Sequence, residues 1–118
     1  MDTITTIKQQ ISNNPVLLYM KGTPQFPMCG FSARVIQVLK DCKANFSYVN
    51  VLENPDIRSE LPKYANWPTF PQLYVNGELI GGCDIVMELN ENNEILPILK
   101  QANALLEDKA QFKDATVA

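Results

Sequence analysis

Cys29-Gly30-Phe31-Ser32 carries one thiol where a dithiol redox pair would carry two. A C-x-x-C pair uses its second sulfur, three positions on, to resolve a mixed disulfide. Here that position holds the hydroxyl of Ser32, which forms no disulfide. Cys29 therefore works alone or with a thiol supplied from outside. The chain contains no histidine, which excludes Cys-His and Ser-His nucleophile pairs and any His-ligated metal site within it. Activation of Cys29 then falls to backbone dipoles or to Lys and Arg. A buried structural cysteine is the competing reading, but Pro27, Gly30 and a loop position favour an exposed, reactive thiol at a helix start.

Three further segments could serve that thiol. Trp67-Pro68-Thr69-Phe70-Pro71 puts a proline where a strand should begin. A cis Phe70-Pro71 bond would leave the backbone of Phe70 free to pair with an extended peptide, and an ordinary loop proline is the alternative. In Gly81-Gly82-Cys83-Asp84, two glycines allow close backbone approach at a helix N-terminus. Asp84 there could cap the helix, hold a ligand ammonium, or do both. Lys21 and Arg58 stand outside any charge run. Each reads as solvated surface by default, although Lys21 directly follows a strand and should lie near Cys29. Cys42, by contrast, continues an apolar helix stripe and is expected in the core.

These residues need elements to hold them. Ile4, Ile7 and Ile11 have helical spacing, ended by Asn13-Asn14-Pro15. Val16 to Met20 reads as a buried strand. Lys21 to Met28, with Gly22, Pro24 and Pro27, must be a loop. From Gly30 onward Val35, Val38, Leu39 and Cys42 mark the core face of a second helix, and Phe46 to Val51 forms a second strand. Asn54-Pro55 starts a third helix that Pro62 should end or kink. Phe70 to Val75 and Glu78 to Ile80 flank Asn76-Gly77, a strong hairpin signal. Asp84 opens a helix carrying Ile85, Val86 and Leu89. A last helix should bury Ile95, Ile98, Leu99, Ala102, Leu105 and Leu106. This order predicts an α/β protein of thioredoxin-like fold, with a central four-stranded mixed sheet flanked by helices on both faces. The reactive loop follows the first strand, where ligands bind in open α/β sheets.

The chain's 118 residues suit one domain, 1–118, with a core over about 3–106 and a polar tail, 107–118, expected to fray. No apolar run approaches the roughly 20 residues of a membrane span. The N-terminal residues lack signal- and transit-peptide patterns, and three cysteines cannot all pair internally. A reducing, cytoplasmic setting is therefore expected. A net charge of -3 argues against nucleic-acid binding.

Lys21-Gly22, Cys29-Gly30-Phe31-Ser32, Trp67 to Pro71 and Gly81-Gly82-Cys83-Asp84, in that order and spacing, resemble the monothiol glutaredoxins of the Cys-Gly-Phe-Ser class, in their short single-domain bacterial form. The resemblance implies glutathione as ligand. Cys29 would face its thiol, and Lys21 and Arg58 would hold the glycyl carboxylate. Phe70 would pair with its backbone, and Cys83 with Asp84 would receive the γ-glutamyl end. It also implies a [2Fe-2S] cluster bridged by a homodimer. Such clusters are commonly held by four thiolates, which two Cys29 side chains and two glutathiones would supply. BolA-type proteins and iron-sulfur acceptor proteins are the further partners implied. Cluster carriage and transfer is the favoured activity. A glutathione-dependent oxidoreductase, removing glutathione from proteins by a monothiol cycle, is the enzymatic alternative. A redox-silent adaptor would leave the glutathione-like site unexplained.

Overall fold

Val16–Met20 is the strand around which everything else is placed, and all five of its residues are buried. The computed structural model describes residues 2–106 and 108–117; Met1, Glu107 and Ala118, which fall in the expected domain and its tail, lie outside them. This strand, β1, alternates its side chains as a strand must. Val16, Leu18 and Met20 enter one apolar cluster, and Leu17 and Tyr19 enter the other. β2 (Asn45–Asn50) runs parallel to β1, with Tyr48 opposite Leu18. β3 (Gln72–Val75) runs antiparallel on the other side, with Leu73 opposite Leu18. β4 (Glu78–Gly81) returns against β3 through the turn expected at Asn76-Gly77.

Helices cover both faces, as expected. α2 (Gly30–Asp41), α4 (Cys83–Glu91) and α5 (Ile95–Gln101) bury Val35, Leu39, Val86, Ile95 and Leu99 in the first cluster. α1 (Thr3–Asn13) and α3 (Pro55–Ala65) bury Ile7, Ile11, Ile57 and Leu61 in the second. Cys42 caps the C-terminus of α2, half-buried against the first cluster rather than fully inside it.

The sheet has five strands, in the order β4-β3-β1-β2-β5, and not the four expected. Within the tail expected to fray, Gln111–Asp114 forms β5, parallel to β2. Its anchor is Phe112, whose ring lies 5.8 Å from Phe46 and 6.3 Å from Tyr48. β5 also satisfies backbone groups of β2 that would otherwise form an open edge. The last helix stops at Gln101 and does not reach Leu106. Asn103 turns left-handed at φ 54°, and the Ala104 N–H donates to the Leu99 carbonyl at 3.0 Å, closing the helix. Leu105 then bridges to Ala44.

Pro62 does not end α3, which continues to Ala65. Buried Ile57 and Leu61 hold the helix down through the proline. The Trp67 N–H closes its end on the Pro62 carbonyl at 3.0 Å. Asn54 takes the cap position, but its side chain donates to the Asn50 carbonyl and does not cap the helix. Asp84 is not the cap of α4. Gly82 is, and Asp84 lies in the first turn.

Candidate functional site

Cys29 is the N-cap residue of α2, in extended conformation and partly exposed. Partial burial pulls its thiol upward. The backbone N–H groups of Ser32 and Phe31, the charge of Lys21 and the Ser32 hydroxyl outweigh that and hold it below the ordinary thiol range. Ser32 is fully buried, and its Oγ accepts the Lys21 N–H at 3.2 Å. The serine therefore serves the site as a hydroxyl, tying the end of β1 to the first turn of α2.

The loop between β1 and α2 is tightly closed. The Met28 N–H donates to the Lys21 carbonyl at 2.9 Å. Gly22 sits at φ +92°, and a Cβ there would lie 2.5 Å from the Phe26 carbonyl oxygen. Only glycine fits this conformation without displacing backbone. Phe26, Met28 and Phe31 project into solvent around Cys29, more than half exposed.

Gln72 builds the opposite wall. This fully buried amide donates through Nε2 to the carbonyls of Trp67 (3.0 Å) and Thr69 (3.2 Å). Its Oε1 accepts from the Tyr74 hydroxyl at 3.0 Å. The Phe70-Pro71 peptide is cis. Gly82 passes so close beneath this wall that a Cβ would lie 3.1 Å from the Pro71 oxygen and 3.3 Å from Trp67 Nε1. That indole nitrogen is buried without a hydrogen-bond partner. Cys83, the next residue after Gly82, is buried. Burial raises its thiol above the ordinary range; Asp84 and Cys29 add to this, and the Arg34 guanidinium opposes it.

A cleft of about 630 Å³ runs between these walls. Cys29, Lys21, Arg58, Phe70, Cys83 and Asp84 all line it, so one cavity gathers the six residues that the resemblance assigns to the ligand. Phe31, Trp67, Thr69 and Ile85 line it as well. Arg34 lies near it, 6.0 Å from the Phe31 ring centroid and beside Cys83. These five had no assigned role. Arg34 could have been found from its place one helical turn after Gly30, on the same face. The contact between Trp67 and Gly82 spans too much sequence to leave a local signal. Chemically, the cleft offers an activated thiol, cations from the loop and α3, and a carboxylate with free N–H groups at the start of α4. That set suits a peptide-like thiol bearing both carboxylate and ammonium groups.

A family model described as Glutaredoxin matches residues 16–80, more than half of the chain. The chain belongs to the glutaredoxin family. With Ser32 in the fourth motif position it is a monothiol glutaredoxin. It is 62% identical over 101 residues to Glutaredoxin 4 of Haemophilus ducreyi, covering 86% of this chain and 94% of that protein. Among solved structures, reduced poplar apo GrxS14 matches at a TM-score of 0.73 and 46% identity, over 85% of this glutaredoxin and 92% of that chain. The holo form of glutaredoxin C1 from Populus tremula x tremuloides matches at 0.76 and 31%, over 88% and 92%. Among the described residues, no helix of this glutaredoxin is long and apolar enough to cross a membrane.

Proposed function

We propose that this glutaredoxin binds glutathione in the cleft, pairs with a second copy to carry a labile [2Fe-2S] cluster, and delivers that cluster to acceptor proteins in the cytoplasm. The observation that carries this reading is the single activated thiol at the edge of a cleft that also holds Lys21, Arg58 and Asp84. The donor set fits. Cys29 presents an accessible thiol biased toward thiolate, whereas Cys83 is buried with its thiol raised and Cys42 packs on the core. One chain thus offers one ready sulfur, and glutathione supplies a second per chain when bound.

Lys21 and Arg58 attract a carboxylate, the first turn of α4 offers N–H groups, and Asp84 accepts from an ammonium. Phe26, Met28 and Phe31, on either side of Cys29 in the sequence, add exposed apolar surface, which favours close approach of a second copy. A cargo held half by non-covalent ligands is easily released, as transfer requires. The holo form known for the relative glutaredoxin C1 is consistent with a loaded state.

Anaerobic reconstitution with ferrous iron, sulfide and glutathione tests the reading. Wild-type protein should gain visible absorbance and a native mass of two chains, two glutathiones and one cluster. Cys29→Ser should fold and gain neither. A chromophore of equal yield in Cys29→Ser, or one formed without glutathione, would overturn it.

A further inference from the structure

Asn50 ends β2 almost fully buried, outside the cleft, at 8% exposure. Its Oδ1 accepts two backbone N–H groups, from Gly22 at 3.0 Å and from Leu52 at 3.0 Å. Its carbonyl accepts Nδ2 of Asn54 at 2.8 Å, and the Asn54 carbonyl in turn accepts the Arg58 N–H at 3.0 Å. A continuous chain of hydrogen bonds therefore runs from Gly22, next to Lys21, through Asn50 and Asn54 to Arg58. Lys21 and Arg58 belong to elements separated by the whole of α2 and β2, and this chain joins their backbones.

We infer that Asn50 is a positioning residue that sets the spacing of the two cations, and through it the recognition of a ligand carboxylate. The inference rests on the proposed reading of Lys21 and Arg58 as a carboxylate clamp. Two cations grip one carboxylate only when their separation is held; if either arm drifts, one charge-assisted bond is lost. Gly22 is buried at φ +92° and bridged to Pro27, but its own N–H finds its acceptor in a side chain. Asn50 Oδ1 is the partner that the Gly22 N–H finds. Without it a buried donor would be left unsatisfied and the loop would shift to find water. The same loss frees the Leu52 N–H at the entry to α3, so both arms are loosened together.

Two ligands separate this role from a merely structural one. Reduced glutathione carries the glycyl carboxylate, and γ-glutamylcysteine lacks the glycine. Both are titrated against the apo protein and followed by amide NMR shifts. Wild type should prefer glutathione. Asn50→Ala should lose about tenfold in affinity for glutathione and little for γ-glutamylcysteine. Asn50→Asp keeps an acceptor at the same place and should restore most of the preference. If Asn50→Ala does not fold, Asn54→Ala cuts the same chain on the α3 side and should reduce the preference in the same direction. A preference unchanged in a folded Asn50→Ala, or in Asn54→Ala where only that variant folds, overturns this inference alone. A wild-type protein with no preference overturns the clamp and this inference with it.

Discussion

At the scale of single residues, two thiols share one cleft and are pushed in opposite directions. Hydrogen bonds and the Lys21 charge lower Cys29, while burial raises Cys83. The thiolate fraction of an acid grows as pH rises through its folded pKa. Cys29 should therefore become reactive at a lower pH than a free thiol, and Cys83 at a higher one. Iodoacetamide labelling between those two values, read by peptide mass, should modify Cys29 alone. Equal labelling of both would contradict the electrostatics of the site. The cations allow a second residue-scale test. Lys21→Glu or Arg58→Glu should weaken glutathione binding by about 1–3 kcal/mol. Apo thermal melts should barely move, because both side chains line an open cleft. Unchanged affinity in both variants would remove these residues from the clamp.

At the scale of elements, the strands and helices that position the site follow from short-range signals. The apolar run Val16–Met20, the Asn76-Gly77 turn and the glycine-proline loop after β1 each appear where local pattern puts them. The misses share a cause, which is that distant partners override local preference. Pro62 stays helical because Ile57 and Leu61 are anchored in the core, and the tail becomes β5 because the aromatic surface of β2 is there to receive Phe112. Phe112→Ala should accordingly lower unfolding free energy by about 1–2 kcal/mol, below the cost of a fully buried phenylalanine. Urea denaturation measures this. Glutathione affinity should not change, since none of the cleft residues lies on β5. A stability equal to wild type would mean that β5 contributes nothing to the fold.

At the scale of the whole molecule, one chain presents one activated thiol, with exposed Phe26, Met28 and Phe31 close to it in sequence. On the proposed reading, a four-thiolate cargo would draw on two chains and their glutathiones, and the cargo itself would join the chains. Size-exclusion chromatography should find the reconstituted holo protein at about twice the apparent mass of the apo protein. Removal of iron by a chelator should return it to the smaller species. An apo protein already dimeric would show that side-chain contacts, and not the shared cargo, build the interface.

The residue types alone determined the monothiol character of this glutaredoxin. With serine at position 32 and no histidine anywhere, neither a C-x-x-C resolving thiol nor an imidazole base is available. Local pattern also determined which segments would carry the site, because helix starts, tight turns and buried strands are written in neighbouring residues. Only the tertiary structure decided what each residue does for the others. It made Ser32 an acceptor for Lys21, set Gln72 behind the Trp67 wall, and placed Asn50 between the two cation arms. It also put Arg34 beside Cys83. Most of these contacts join residues far apart in the chain, and all depend on the register of strands and the seating of helices. Hydrogen bonds at about 3 Å leave no trace in sequence periodicity.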